Sequence, residues 1–495
     1  IFNQRTISKY NLIDLLNAAK KNEEVRVKNS FVSILIFLTS VGLLVTAYSR
    51  ILEKGIDADN ANLGLTLLLG VIGTLFFFFS LSSFFIQVIE RNKKIYLKGI
   101  NIFVLRQVNN KINTNFLSMT VICLMLFLTI SLIFTAFDLK ASVDRSEKVF
   151  DASASLLVDN EDSKENDIEE YLNKINFTFE PYEKHAFYSE YYLNITPKNL
   201  VAEYVSEQEH IDLKEKLPYL YDGGISALKI SDYNAIINLK GREAIDLKEN
   251  EVLIVSNVDK LNRAFSNYTG NENVVQIEDK AYTIKNESPL EEVIKPYDSD
   301  EFFYLIVPDN FNEGLELLYT SFSVIFDDNN FEKSESKFAN LFDDISKGQY
   351  KGISSATVMG ITWEKAKNIA NGAVTLIVFL GLFLGLIFII TSAAVMALQQ
   401  LSDASDSLER YKSLKKMGVS DKLINKAILN QSLIYFIAPL SLAILHSIIG
   451  ITAASDIFII HSQSIIASIL FLAIIYGGYF YATYIGIKNI VKNND

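Results

Sequence analysis

Residues 371–400 read NGAVTLIVFLGLFLGLIFIITSAAVMALQQ. From Ala373 to Leu398 this run holds no charged residue. As a helix rising about 1.5 Å per residue, it is long enough to cross the ~30 Å hydrocarbon core of a bilayer. Five other runs share the property: Phe31–Ser49, Leu63–Ile89, Phe116–Phe137, Ser432–Ile451 and Ser464–Ile487. The second and fourth spans are long enough to tilt or to project beyond the lipid. The 495-residue chain as a whole is 49% hydrophobic and 21% charged, with a mean hydropathy of +0.21. That balance excludes a disordered chain and an ordinary soluble enzyme.

Basic residues orient the spans. Arg5, Lys9, Lys20, Lys21, Arg26 and Lys28 precede the first span; Arg91, Lys93, Lys94, Lys98, Arg106 and Lys111 lie between the second and third. Arg410, Lys412, Lys415, Lys416, Lys422 and Lys426 lie between the fourth and fifth. The loops of opposite parity are poor in Lys and Arg: 50–62 holds only Arg50 and Lys54, and 452–463 holds none. Because Lys and Arg stay on the cytoplasmic side, both termini are expected inside and residues 138–370 outside. Those outer residues carry 24 Lys and Arg against 45 Asp and Glu, a net of −21, whereas the rest of the chain is at +9.

The fold class expected is therefore a polytopic α-helical membrane protein of six spans, with a large α+β extracellular domain inserted between spans three and four. The parts are a cytoplasmic segment (1–29), two membrane helices with a basic, amphipathic cytoplasmic loop (30–115), and a third membrane helix (116–137). The outer domain (138–370) follows, then three membrane helices (371–495) enclosing a cytoplasmic elbow (399–431). An outer domain of this size can bury its own core. Its acidity suits either attraction of cationic ligands or simple solubility. Ala154–Val158, Ala186–Leu193, Ala227–Ile230, Val252–Val255, Ala281–Lys285, Phe302–Val307 and Phe322–Phe326 read as strands. Glu165–Ile175 and Ser231–Leu239 read as helices, the second with Ser231 as N-cap, Asp232 in its first turn and Gly241 just past its end. Lys347–Ser355 reads as a linker. The aromatic run Phe187-Tyr188-Ser189-Glu190-Tyr191-Tyr192 could grip an amphipathic cationic peptide, although its alternation fits a half-buried strand better.

Several chemistries fall away. Cys123 is the single cysteine, so no intramolecular disulfide forms. The histidines His185, His210, His446 and His461 have no metal-ligand spacing, so neither metal nor cofactor is expected. No GxxxxGK[ST] or GxSxG occurs, so the chain carries neither its own P-loop nor a hydrolase elbow, and no enzymatic activity or nucleic-acid partner is expected. The spans lack the charges that ion-coupled transport needs at mid-membrane. Asp138, Asp456 and His446 lie near outer ends, where interfacial placement would account for them. Gly70…Gly73 and Gly381…Gly385, with Ala393, Ala394 and Ala397, favour close helix packing within the chain over a dimer seam. The Asn-x-Thr sequons at Asn176, Asn194 and Asn267 matter only on a eukaryotic secretory route. Ile1 opens the chain and no signal peptide follows, so a piece cut from a longer precursor is expected.

The most informative loop is 403–431, DASDSLERYKSLKKMGVSDKLINKAILNQ. Asp406 and Arg410 are spaced for a helical pair, Lys415 and Lys416 fall in a last turn, Gly418 supplies a left-handed stop, and Ser420 caps the next helix. The expected product is a helical elbow exposing Leu414, Met417 and Val419.

ERYKSLKKMGVS (409–420), followed by a helix and two spans, resembles the FtsX-like permease signature of ABC transporters. The order span, outer domain, span, elbow, span, span over 116–487 matches one FtsX unit. The two preceding spans and the long insert resemble the bacitracin-export (BceB) type more specifically. Within that type, SALKISDYNAIINLKGREAIDLKENEVLIV (226–255) is similar to the outer domain, and RNKKIYLKGINIFVLRQVNNKINTN (91–115) to the segment before the seventh span. Permeases of this type carry ten spans, so a first four-span unit, holding another docking elbow, is expected to be missing here. The resemblance implies a separate cytoplasmic ABC ATPase, a dimer that binds ATP and docks on Glu409, Arg410, Leu414, Lys415, Met417 and Gly418. It further implies a bacterial plasma membrane location and mechanical transmission to the outer domain in antimicrobial-peptide resistance or sensing. A membrane histidine kinase is the implied sensing partner, and the implied ligand is a peptide or lipid-linked cell-wall precursor. The alternative is an FtsX-like regulator of a cell-wall hydrolase or signalling partner.

Overall fold

The structure, a computed structural model, describes residues 30–56, 61–91, 97, 99–145, 148–158, 167–201, 205–258, 261–266, 273–277, 280–294, 302–311, 314–351, 357–454 and 460–493. The segment 1–29, the sequon Asn267 and Asp456 lie outside these residues. Two compact units result: the helices up to Arg145 together with those from Ala373 onward, and Ser146–Gly372 between them.

The membrane unit begins with α1 (Ser30–Lys54), α2 (Ala61–Arg91) and α3 (Asn101–Arg145). Among the described residues six helices are long and apolar enough to span a membrane, and Thr114–Arg145, Trp363–Asp406 and Asp421–Ala453 reach well past their expected ends. The third span does not stop at Phe137. α3 is one 45-residue helix that starts in the basic loop at Asn101 and ends at Arg145, so residues 138–145 continue the span instead of opening the domain. No Pro or Gly interrupts those 45 positions.

α3 is the hub of the bundle. Met119, Ile122, Cys123 and Leu126 on it are fully buried with Phe78, Tyr435 and Phe436. His446, expected near an outer end, is enclosed by the bundle. It is 8% exposed, with Tyr48 Oη 2.6 Å from Nδ1 and Thr74 Oγ1 3.0 Å from Nε2. Thr74 already donates to the Gly70 carbonyl, so it accepts from Nε2–H while Tyr48 donates to Nδ1. A neutral imidazole satisfied on both sides joins three helices without placing a charge in lipid. Asp138 is buried too, at 2% exposure, and its Oδ1 accepts from the backbone N–H of His461 at 2.9 Å.

The second unit is built on a nine-stranded mixed sheet, flanked by short helices. In chain order these are β1 (Ala152–Leu157), α4 (Ile168–Lys174), β2 (Glu183–Leu193), α5 (Pro197–Val201), α6 (Glu207–Lys216) and α7 (Pro218–Tyr221). β3 (Ile225–Lys229), α8 (Ile230–Leu239), β4 (Glu251–Ser256), β5 (Val274–Ile277) and β6 (Lys280–Ile284) follow. β7 (Phe303–Val307), β8 (Leu315–Phe326), α9 (Phe331–Ser346) and β9 (Thr357–Thr362) complete it. The spatial order is β5-β6-β4-β7-β3-β2-β8-β1-β9, with β3–β7 and β4–β6 parallel and the other pairs antiparallel.

The aromatic run lies on β2, where Tyr188 and Glu190 are buried and Phe187, Ser189 and Tyr191 half-buried, as a half-buried strand requires. α8 corrects one expectation. Its N-cap is Lys229, not Ser231, because β3 runs into the helix with no intervening loop. The Ser231 N–H is satisfied by Asp309 Oδ1 at 3.1 Å instead. At the other end Gly241 (φ +74°) and Arg242 donate back to Asn238 and Ile237, a Schellman motif.

The chain returns through α10 (Trp363–Asp406), α11 (Leu408–Lys416), α12 (Asp421–Ala453) and α13 (Ser462–Asn493). Buried positions on α10 are Gly381, Gly385, Ile389, Ser392, Ala393, Met396, Gln400 and Ala404, a single stripe at steps of mostly three and four. A Cβ at Gly381 would sit 3.2 Å from the Leu132 carbonyl oxygen, and one at Gly385 2.9 Å from Ile133 Cγ1. The small residues thus serve packing against α3 within the chain.

Candidate functional site

The elbow is formed by the end of α10, the short helix α11 and the start of α12. α10 stops at Asp406, and Ser407 donates back to the Asp403 and Ala404 carbonyls as the chain turns. That break separates Asp406 from Arg410. The ion pairs here are Lys412–Glu409 at 3.8 Å, Lys415–Asp421 at 3.5 Å and Lys111–Asp403 at 2.5 Å.

α11 ends as its sequence requires. Gly418 (φ +87°) donates to the Lys415 carbonyl at 2.9 Å and Val419 to the Leu414 carbonyl at 3.1 Å, the two bonds of a Schellman motif. Ser420 takes the N-cap position of α12, but its side chain makes no capping bond. Its carbonyl receives the Leu423 and Ile424 N–H groups.

The expected docking residues separate into two sets. Glu409, Arg410, Met417 and Gly418 are exposed, Met417 at 70%, and Lys415 is half-buried beside Asp421. Leu414 is not an exposed knob. It is 9% exposed and packs with Ala404, Tyr411, Ile424, Ile428, Ile487 and Val491, with Val419 half-buried against the same cluster. The physical reason is the Schellman turn, which brings the residue after the glycine back over the last helical turn and closes an apolar contact there. Leu423, one turn into α12, is 43% exposed and adds an apolar group to this face that the motif alone does not reveal.

The buried side of the elbow holds residues that the sequence reading passed over. Tyr411 is 3% exposed, with its Oη 3.0 Å from Gln431 Oε1 and 3.4 Å from Gln107 Oε1. Its ring meets Phe103 edge-on at 5.6 Å. Burial pushes the Tyr411 phenol up to about 12, so it remains a proton donor at physiological pH. Tyr435 Oη donates to the Val108 carbonyl at 3.3 Å. Among the described residues no three His, Cys, Asp or Glu side chains converge to hold a metal ion.

No family model matches the chain. It is similar to ABC transporter permease protein YxdM of Bacillus subtilis (strain 168), at 23% identity over 460 residues that cover 90% of this chain and 65% of the relative. It is also similar to bacitracin export permease protein BceB of the same organism, at 22% identity over 521 residues covering 100% of this chain and 74% of that relative. The chain spans just under two thirds of YxdM's length. With six candidate spans among the described residues, a sheet-containing domain inserted between the third and fourth, an elbow after the fourth, and likeness to both permeases along nearly its whole length, the chain is similar to ABC transporter permeases of the BceB type.

Proposed function

We propose that this chain is the membrane subunit through which a separate ABC ATPase, acting as a dimer, works on the inserted domain at the bacterial plasma membrane. The elbow carries the reading. It presents Met417 at 70% exposure on a helix end fixed by a Schellman turn and framed by Glu409, Arg410, Lys415 and Lys416. An apolar side chain held rigidly amid charges is the kind of anchor that a soluble partner buries. The Lys and Arg distribution supports an elbow and termini facing the cytoplasm, with the inserted domain outside.

The ligand is an antimicrobial peptide or the lipid-linked cell-wall precursor it binds, with a membrane histidine kinase as sensing partner. Similarity to the bacitracin export permease and a net charge of −21 over residues 138–370 support that choice, since an acidic surface draws cationic peptides. The chain itself binds no nucleotide; ATP belongs to the partner. A regulator of a cell-wall hydrolase would share the elbow and differ in its outer partner, so proteins recovered with the chain from native membranes distinguish the two.

The test is Met417→Asp. Placing a carboxylate where an apolar anchor docks should cost about 2 kcal/mol or more, roughly thirtyfold in affinity. ATPase stimulation should fall accordingly, with fluorescence of the single Trp363 unchanged. Full stimulation in that variant would overturn the assignment.

A further inference from the structure

The chain joins α11 to α10 through Ser407 and to α12 through residues 417–420, so motion imposed on the elbow would be expected to travel along those helices alone. The contacts on its buried side indicate another route. Phe103, Gln107 and Lys111 are spaced four apart at the start of α3 and therefore form one stripe of that helix. Each meets the elbow or its base. The Phe103 ring is 5.6 Å from that of Tyr411, Gln107 lies against the Tyr411 hydroxyl, and Lys111 is bonded to Asp403 at 2.5 Å with the two side chains 17% and 12% exposed.

The polar contacts have a definite sense. One phenolic proton serves one acceptor, and Gln431 Oε1 at 3.0 Å is the nearer. Gln107 Nε2 is buried with no partner, which is costly where water does not reach. Turning the Gln107 amide so that Nε2 faces the phenol resolves both difficulties, since the nitrogen then donates to Tyr411 and Tyr411 donates to Gln431. The result is a relay from α3 through α11 to α12, with the Lys111–Asp403 ion pair joining α3 to α10 beside it.

We infer that α3, held at its start by Tyr411 through Gln107 and by Asp403 through Lys111, is the helix that receives the elbow's movement and carries it across the membrane, with Tyr411 as the positioning residue. This rests on the reading that an ATPase drives the elbow. It adds that the helix entering the inserted domain is moved by side-chain contacts, not by chain connectivity. α3 suits the task because it is a single uninterrupted helix from Asn101 to Arg145.

The experiment uses the full chain with its ATPase in lipid, in a Cys123→Ala background. Spin labels are placed at Asp144, which is 55% exposed near the end of α3, and at Leu376, which is 67% exposed on α10. The label distance is compared with and without ATP and vanadate, and the ATPase retained is quantified in parallel. Tyr411→Phe keeps the ring against Phe103 and removes only the relay. The ATPase should remain at the wild-type ratio while the nucleotide-driven distance change falls by half or more. Lys111→Asp should do the same, and Lys111→Asp combined with Asp403→Lys should restore it. An unchanged distance response in both single variants, with ATPase bound, overturns this inference alone. Loss of bound ATPase in Tyr411→Phe also overturns it, by placing Tyr411 in the docking surface. Failure of the wild-type chain to retain an ATPase overturns the underlying reading and this inference together.

Discussion

Asp232 lies where β2 loses its partner on the β3 side: the β2–β3 ladder ends at Glu190 and Leu228, and the next N–H, that of Ser189, is taken by Asp232 Oδ2 at 3.0 Å. Burial, aided by nearby Asp309, raises the Asp232 carboxyl above its usual range. The folded chain thus holds this proton to higher pH than the unfolded chain does. The associated stability is present below the ordinary carboxylate value of ~3.9 and is lost as pH rises through the raised one. Asp232→Asn keeps an acceptor for Ser189 without the charge. Its thermal midpoint, followed by Trp363 fluorescence, should vary less with pH across that interval than the parent's, and an identical pH profile would refute the assignment. Leu414 teaches a different lesson at this scale. Its place in the motif was legible, but its burial depends on Val419 folding back and on Ile487 and Val491 arriving from the last helix.

Among the elements, α10 depends most on its smallest residues. One stripe is buried against the bundle, and much of the remainder, including Leu376, Phe379 and Phe383, is exposed as a lipid-facing surface should be. Gly385→Leu drives a side chain into Ile133, whose Cγ1 would lie 2.9 Å from the new Cβ. Overpacking of this kind costs about 1–3 kcal/mol. The full chain in detergent should melt measurably lower, whereas Gly42→Leu, with nothing within 4 Å of its Cβ, should melt like the parent. Equal midpoints would mean that the Gly381–Gly385 face is not a packed seam. The N-terminus of α8 shows why caps are harder to read than helices. Ser231 has the residue type of a cap, but the strand leaves no room for a turn, and Asp309 supplies the oxygen from 78 residues away.

For the whole molecule, the separation of charge makes a statement about sidedness. Cysteines introduced at Lys412, 37% exposed in the elbow, and at Lys198, 42% exposed in the inserted domain, can be labelled in a Cys123→Ala chain with a membrane-impermeant maleimide. Intact cells should label position 198 and leave 412 protected until lysis. The reverse pattern would invert the topology and remove the elbow from any cytoplasmic ATPase. The expected pattern follows from the Lys and Arg of the loops before the first span, between the second and third, and between the fourth and fifth.

Span number, the position of the insert, its mixed α+β character and the elbow's glycine stop were determined by the sequence itself, because each rests on local rules: uncharged length for a bilayer, alternation for a strand, a positive φ that glycine tolerates. The tertiary structure alone decided what depends on distant segments meeting. It made α3 one helix at the centre of the bundle, buried His446 between Tyr48 and Thr74, turned Leu414 inward, and set Tyr411 between Gln107 and Gln431, 304 and 20 residues away along the chain. A buried polar group must find a partner wherever the fold provides one, and no local pattern records which segment that will be.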